Sequence, residues 1–237
     1  MNKIKTKVKE IIRNNKTISS LLLSKRKSDN WRKKKVGKYL SEHEVAKLQI
    51  GCGPHPLEGW LNTDITLDPL RKGDIMFLDA SKPYPIPDAS FDYVYSEHLF
   101  EHLTYPEATN MLKECYRILK PNGIIRIATP NLEFLVDMYE HPEKDINKAY
   151  IEFNSKRSGL PSSPVYAVNY FHTTWGHKII YDFESLSHFL EEVGFKDITQ
   201  CEMSKSNHAV LTDVEQHFKG FPYNLILLET MIIEARR

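Results

Sequence analysis

Between Val45 and Pro130 five short β-like runs follow one another, and each has a glycine or a polar residue at or beside its end. They are VAKLQI before Gly51, LNTDI over 61–65, DIMFLDA over 74–80, FDYVYSE over 91–97 and IIRIATP over 124–130. An amphipathic helical segment from Tyr105 to Leu119 separates the last two, with Ala108, Met111, Leu112, Cys115 and Leu119 on one face. Pro121-Asn122-Gly123 stops it. Strands that alternate with helices build a mainly parallel α/β sheet with right-handed crossovers. Ligands of such sheets bind beyond the strand C-termini, where the strand order reverses. That directs attention to Gly51–Gly53, Asp64, Asp79-Ala80, Ser96–His98 and Thr129–Asn131.

The remaining elements are read in the same way. LEFLVDMYE and INKAYIEFN have helical patterns, and KRSGLPSSPVYAVNY reads as a long loop with two prolines. Asp182 caps a helix, FESLSHFLEEV, which Gly194 ends. FKDITQCE and LILLETMIIEA read as two further strands.

The loop after the first run is short. Gly51 and Gly53 allow a close backbone approach to a ligand. A dinucleotide site needs a third glycine and a helix whose N-terminus grips pyrophosphate. Here Pro56 occupies the third glycine's position, and Pro54 and Pro56 block a helix start. Such a turn suits an adenosine ligand that has no pyrophosphate. Asp64 stands where a carboxylate accepts hydrogen bonds from ribose hydroxyls, and Asp79 where one reaches an adenine amino group.

The segments LQIGCGPHPLEGWLNTDI, FLDASKPYPIPDASFDYVYSEHLFEHL and EATNMLKECYRILKPNGIIRIATPN together resemble the class I, Rossmann-like, S-adenosylmethionine-dependent methyltransferases. The short glycine loop and WGHKIIYDFESLSHFLEEVGF resemble a bacterial branch described as predicted methyltransferases, associated with cell-surface glycan and other tailoring pathways. The resemblance covers about residues 45–236. It implies a Rossmann-like, mainly parallel seven-stranded sheet with an antiparallel C-terminal strand, and S-adenosyl-L-methionine as cofactor. By position, it implies that Gly51, Cys52 and Gly53 pack on the methionine moiety, Asp64 binds ribose, Asp79 and Ala80 bind adenine, and Ser96, Glu97 and His98 lie near the reacting methyl. The departure from the family pattern is the missing helix after the first strand.

Methyl transfer to an alcohol needs a base, and histidine suits it. His98, at the mouth of the expected site, and His177 are the candidate catalytic residues. His102, His172, Trp175 and Tyr181 are candidate acceptor contacts, the last three within YFHTTWGHKIIYD, beside the alternative that Trp175 and Tyr181 are core. His98 and His102 share a helical face, and Glu97 or Glu101 could join them around a metal. No third ligand follows from the spacing, so no metal is expected. The acceptor side is expected to be an insertion or lid over residues 131–182. The acceptor is expected to be a hydroxyl of a small molecule or glycan. A nicotinamide-dependent oxidoreductase and a non-enzymatic binding module are the alternatives.

Charge is uneven. Residues 1–38 hold fourteen Lys/Arg against Glu10 and Asp29, a net of +12, and the remainder carries −11. Residues 1–44 therefore read as a basic arm beside a methyltransferase domain over 45–237. Ile4, Val8, Ile11 and Ile12 fall at helical spacing in it, which suits an anionic membrane surface. The arm has no known motif for nucleic acid. Cys52, Cys115 and Cys201 are widely spaced and fit free thiols in a reducing cytoplasm. Leu21-Leu22-Leu23 is too short for a signal-peptide core or a membrane span. The expected location is cytoplasmic, with contact to the inner membrane face through the arm.

Overall fold

The computed structural model describes residues 28–67, 74–216 and 222–237, with Ser24 and Arg26. The expected helix around Ile4–Ile12 lies outside these residues. Helix α1 (Asp29–Glu42) leads into strand β1 (Lys47–Ile50), followed by β2 (Leu61–Asp64), β3 (Met76–Phe77) and β4 (Phe91–Glu97). Helix α2 (Tyr105–Ile118) and β5 (Leu119–Pro130) follow. Next come helices α3 (Leu132–Glu140), α4 (Asp145–Ser158), α5 (Pro164–Thr174) and α6 (Phe183–Val193). Strand β6 (Lys196–Cys201), helix α7 (Tyr223–Glu229) and strand β7 (Thr230–Arg236) close the chain.

The seven strands form one sheet in the order β3-β2-β1-β4-β5-β7-β6. Strands β1 to β5 pair in parallel, and β7 runs antiparallel to both β5 and β6. This is the Rossmann-like sheet expected from the sequence. The order reverses between β1 and β4, where Ile50 is in register with Ser96. The glycine loop after β1 and the turn after β4 therefore emerge side by side at the switch point, where open α/β sheets bind ligands.

Strand side chains alternate between the two faces. Val94, Ile125, Ile127, Met231 and Ile233 point into the principal core, against Met111, Leu112, Cys115 and Ile118 of α2 and Leu186, Phe189 and Leu190 of α6. Val36 and Tyr39 of α1 join that core, and the Tyr39 hydroxyl lies 3.0 Å from both the Lys47 and the Gly59 carbonyl oxygens. Residues 29–42, within the stretch read as a basic arm, are thus packed on the sheet.

The opposite face explains how the fold survives without a helix after β1. Trp60, from the end of the glycine loop, covers it together with Tyr95, Ile124, Leu211 and Val214. Arg126 of β5 also points to this face, fully buried, and is held by Glu215 at 2.7 Å and Glu234 at 2.5 Å. A third cluster, with Phe134, Leu135, Tyr150, Ile151, Ala167 and Phe171, joins α3, α4 and α5 to one another. No helix among the described residues is long and apolar enough to cross a membrane.

Three expectations are corrected. The third strand is only Met76–Phe77, because the Asp79 carboxylate accepts from the Ser81 N–H at 3.0 Å and turns the chain. The expected loop through residues 156–170 contains the start of α5, at Pro164. Its proline occupies the first helical turn, where a missing N–H costs nothing. LILLETMIIEA is not one strand but the end of α7 followed by β7. A continuous apolar run has no periodicity to divide it.

Candidate active site

Gly51 (φ +69°) and Gly53 (φ +48°) turn the chain away from β1. A Cβ on Gly51 would stand 2.4 Å from Leu99 Cδ1, whereas one on Gly53 would meet nothing within 4 Å. The first glycine is thus required by packing and the second faces open space. Side-chain amides pin the rest of the loop in place of a helix. The Leu57 N–H donates to Gln49 Oε1 at 3.0 Å and to Asn62 Oδ1 at 2.9 Å, and Gln49 Nε2 donates to the His55 carbonyl at 3.1 Å. Asp64, at the end of β2, accepts the Gly53 N–H on Oδ2 at 2.8 Å and the Thr66 N–H on Oδ1 at 2.6 Å. Each of its oxygens keeps a lone pair for another donor.

At the end of β4, His98 adopts φ +46°, unusual for a residue other than glycine, while its N–H still bonds the Ala128 carbonyl at 2.9 Å. The turn that follows, Phe100–His102, buries Glu101 completely. Glu101 receives Thr129 Oγ1 at 3.2 Å and stands 3.2 Å from His98 Nδ1. The other His98 nitrogen, Nε2, is 3.3 Å from Thr230 Oγ1. Burial alone would lower the His98 pKa, but the Glu101 hydrogen bond and the charges of Glu101, Glu229 and Glu97 outweigh it and raise the pKa above 6.5. Burial would raise the Glu101 pKa, but the His98 hydrogen bond and charge hold it below its ordinary value. The pair is therefore an imidazole oriented by an anionic carboxylate.

The Glu101 carbonyl accepts the Lys178 N–H at 2.7 Å, which ties the segment after α5 to this turn. His177 is thereby brought beside His102, with ring centroids 5.0 Å apart. Burial lowers the His177 pKa to about 4, so its ring is neutral at physiological pH.

A cavity of about 200 Å³ opens between these elements. Gly51, Cys52, Gly53, Glu97, His98, His102, Trp175 and His177 all line it, so the two histidine clusters of the sequence converge on one space. Arg157 of α4 also lines it, with its guanidinium 4.7 Å from the Trp175 ring centre. Asp64, Asp79, Ala80 and Ser96 do not line this cavity. Asp64 and Asp79 stand at the ends of adjacent strands, and Ser96 is fully buried. His172 lies instead at a groove with Leu135, Val136 and Tyr139. Tyr181 is core, with its ring 5.2 Å from Phe100, so the acceptor contact expected of it is corrected in favour of packing. Glu101 entered the sequence reading only as an alternative metal ligand, and Tyr150, Arg157 and Glu229 were not singled out. Their signal is confined to three dimensions, because each comes from a helix remote in sequence.

Comparison with known proteins bears on the same segment. Residues 63–127 match a family model described as a methyltransferase domain (Methyltransf_11). A probable S-adenosylmethionine-dependent methyltransferase from Mycolicibacterium smegmatis is 40% identical over 47 residues, which cover 20% of this chain and 18% of that protein. The match thus spans less than a fifth of the curated relative's length. A SAM-dependent methyltransferase structure from Archaeoglobus fulgidus is 21% identical, covering 92% of this chain and 99% of its own, with a TM-score of 0.47. One from Mesorhizobium loti is 16% identical, covering 89% and 99%, with a TM-score of 0.48. The family match runs from the end of β2 into β5 and includes Asp64, Asp79, Glu97 and His98, so this part of the chain is similar to a methyltransferase domain and lies within a Rossmann-like sheet.

Proposed function

We propose that the protein transfers a methyl group from S-adenosylmethionine to a hydroxyl of a small molecule or glycan held in the cavity beside the glycine loop. The observation that carries this reading is the convergence of Gly51–Gly53, the His98–Glu101 pair and Trp175 on one space at the switch point of the sheet. The residues present fit the cofactor. The loop is open where a Cβ on Gly53 would point, and Asp64, bonded to that loop, retains acceptor capacity for ribose hydroxyls. Asp79 and Ala80 would bound the adenine, Cys52 and Glu97 would line the methionine end, and Ser96 would support the turn from beneath. When bound, the cofactor supplies an electrophilic methyl on a sulfonium.

The protein's own part is to orient the acceptor and receive a proton. With Nδ1 donating to Glu101, His98 Nε2 would exchange its 3.3 Å contact with Thr230 Oγ1 for the acceptor hydroxyl and take the hydroxyl proton. In-line transfer needs the acceptor oxygen about 3–3.5 Å from the methyl carbon. The helices of residues 131–182 serve as the acceptor-side lid, with Trp175 offering a flat face to a sugar or planar ring. His177, neutral and beside His102, would offer a hydrogen bond to the acceptor. The +12 charge of residues 1–38 favours action on acceptors at an anionic surface, such as the inner membrane face.

Calorimetric titration tests the cofactor and mass spectrometry of glycan and small-molecule extracts tests the acceptor. S-adenosylmethionine should bind one per chain, and extracts incubated with enzyme and labelled cofactor should gain a methyl mass. Binding of a nicotinamide dinucleotide and not of S-adenosylmethionine would overturn the reading.

A further inference from the structure

Glu101, His102 and His177 each offer a ligand atom, and these atoms all lie within 4.8 Å of one another. Around an ion with ligands at about 2.1 Å, neighbouring ligand atoms stand roughly 3–3.5 Å apart. Closing the set therefore requires side-chain adjustments of about an ångström, within the range of rotamer relaxation on ion binding. One distance in the set, Glu101 Oε1 to His102 Nε2, is already 3.9 Å.

Two further features distinguish this group from an ordinary polar cluster. His177 Nδ1 is buried and has no hydrogen-bond partner among the described residues, although buried polar atoms are almost always paired. The ring as a whole is only half-buried, but this shielded nitrogen is left for a ligand to engage. In addition, His98 Nδ1 reaches Glu101 at 3.2 Å, and Thr129 Oγ1 does the same from the other side. Ligating carboxylates are held by such outer partners, which fix their orientation.

We propose that Glu101, His102 and His177 bind one divalent transition-metal ion at the wall of the cavity. Two imidazoles and one carboxylate suit zinc, cobalt(II), manganese or iron(II), and leave coordination positions open. All three residues line the cavity, so water or an oxygen of a bound molecule completes the sphere. Glu97 and Glu229 on the same cavity add negative charge that favours a cation. This site is independent of which acceptor is methylated, and its test does not use activity.

The probe is cobalt(II), added to protein dialysed against chelator and followed by its visible absorption, with binding also measured by calorimetry. One ion per chain is expected, with the intense bands of a low-coordinate nitrogen and oxygen site. His102→Ala and His177→Ala should each weaken binding at least about tenfold, since loss of even an outer partner of a metal ligand costs 10–100-fold. His141→Ala, at an exposed histidine paired with Asp137, should leave it unchanged. Should His177→Ala fail to fold, as judged by circular dichroism, His102→Ala decides alone, because His102 is partly exposed. No binding to the parent protein, or binding that both variants retain, would overturn the site. S-adenosylmethionine affinity, measured separately on the metal-free protein, reports on the methyl-transfer reading.

Discussion

His98 Nδ1 lies 3.2 Å from Glu101 Oε1, across a turn that His98 enters with a left-handed backbone. A non-glycine residue at φ +46° costs of order 1 kcal/mol, and here the cost is met by the ladder bond to Ala128 and the Glu101 contact. The result is an imidazole aimed by its own backbone into the cavity. His98→Gln should lower turnover by about 10²–10⁴, the range general-base catalysis contributes, with S-adenosylmethionine affinity changed only a few-fold. Steady-state kinetics beside calorimetry separates the two. Equal losses in both would reduce His98 to a shaping role.

Asp64 links the glycine loop to β2 through the Gly53 N–H. Asp64→Ala should remove both the ribose acceptor and that anchor, and cofactor affinity should fall at least tenfold, consistent with charged hydrogen bonds of about 1.5–3 kcal/mol. Unchanged affinity by calorimetry would refute the ribose role.

The two loop glycines should separate folding from binding. Gly51→Ala drives a Cβ to 2.4 Å from Leu99 in a backbone region hostile to side chains, and should destabilise the fold by about 1–3 kcal/mol. Gly53→Ala meets open space, so its stability loss should be confined to about 1 kcal/mol of backbone strain. Its larger effect should be weaker cofactor binding. Urea melts and calorimetry on both variants give the comparison.

Arg126 is fully buried between Glu215 and Glu234. Arg126→Ala would leave two buried carboxylates without their counter-ion, and should cost about 3–5 kcal/mol by urea denaturation. A loss under 1 kcal/mol would mean that water enters the site and replaces the guanidinium.

The chain's own residues determined the sheet and the places to search for a ligand. The short β-like runs, the helix face Ala108–Met111–Leu112–Cys115, Asp182 and Gly194 at the ends of α6, and the proline-blocked turn after Gly53 are local signals, set by backbone sterics and by which side chains must leave water. They located Gly51, Asp64, His98 and His177 without any knowledge of distance. Tertiary structure alone decided which of these meet. The 2.7 Å bond from Lys178 to Glu101 brings His177 to His102 across 75 positions of sequence, and it placed Tyr181 in the core and His172 at another groove. It also chose helix for Pro164–Thr174 and a helix–strand break within the apolar C-terminal run. The reason is physical: local preference is worth tenths of a kcal/mol per residue, while burying a large apolar side chain is worth about 1.5–3 kcal/mol. Where the two disagree, long-range packing decides.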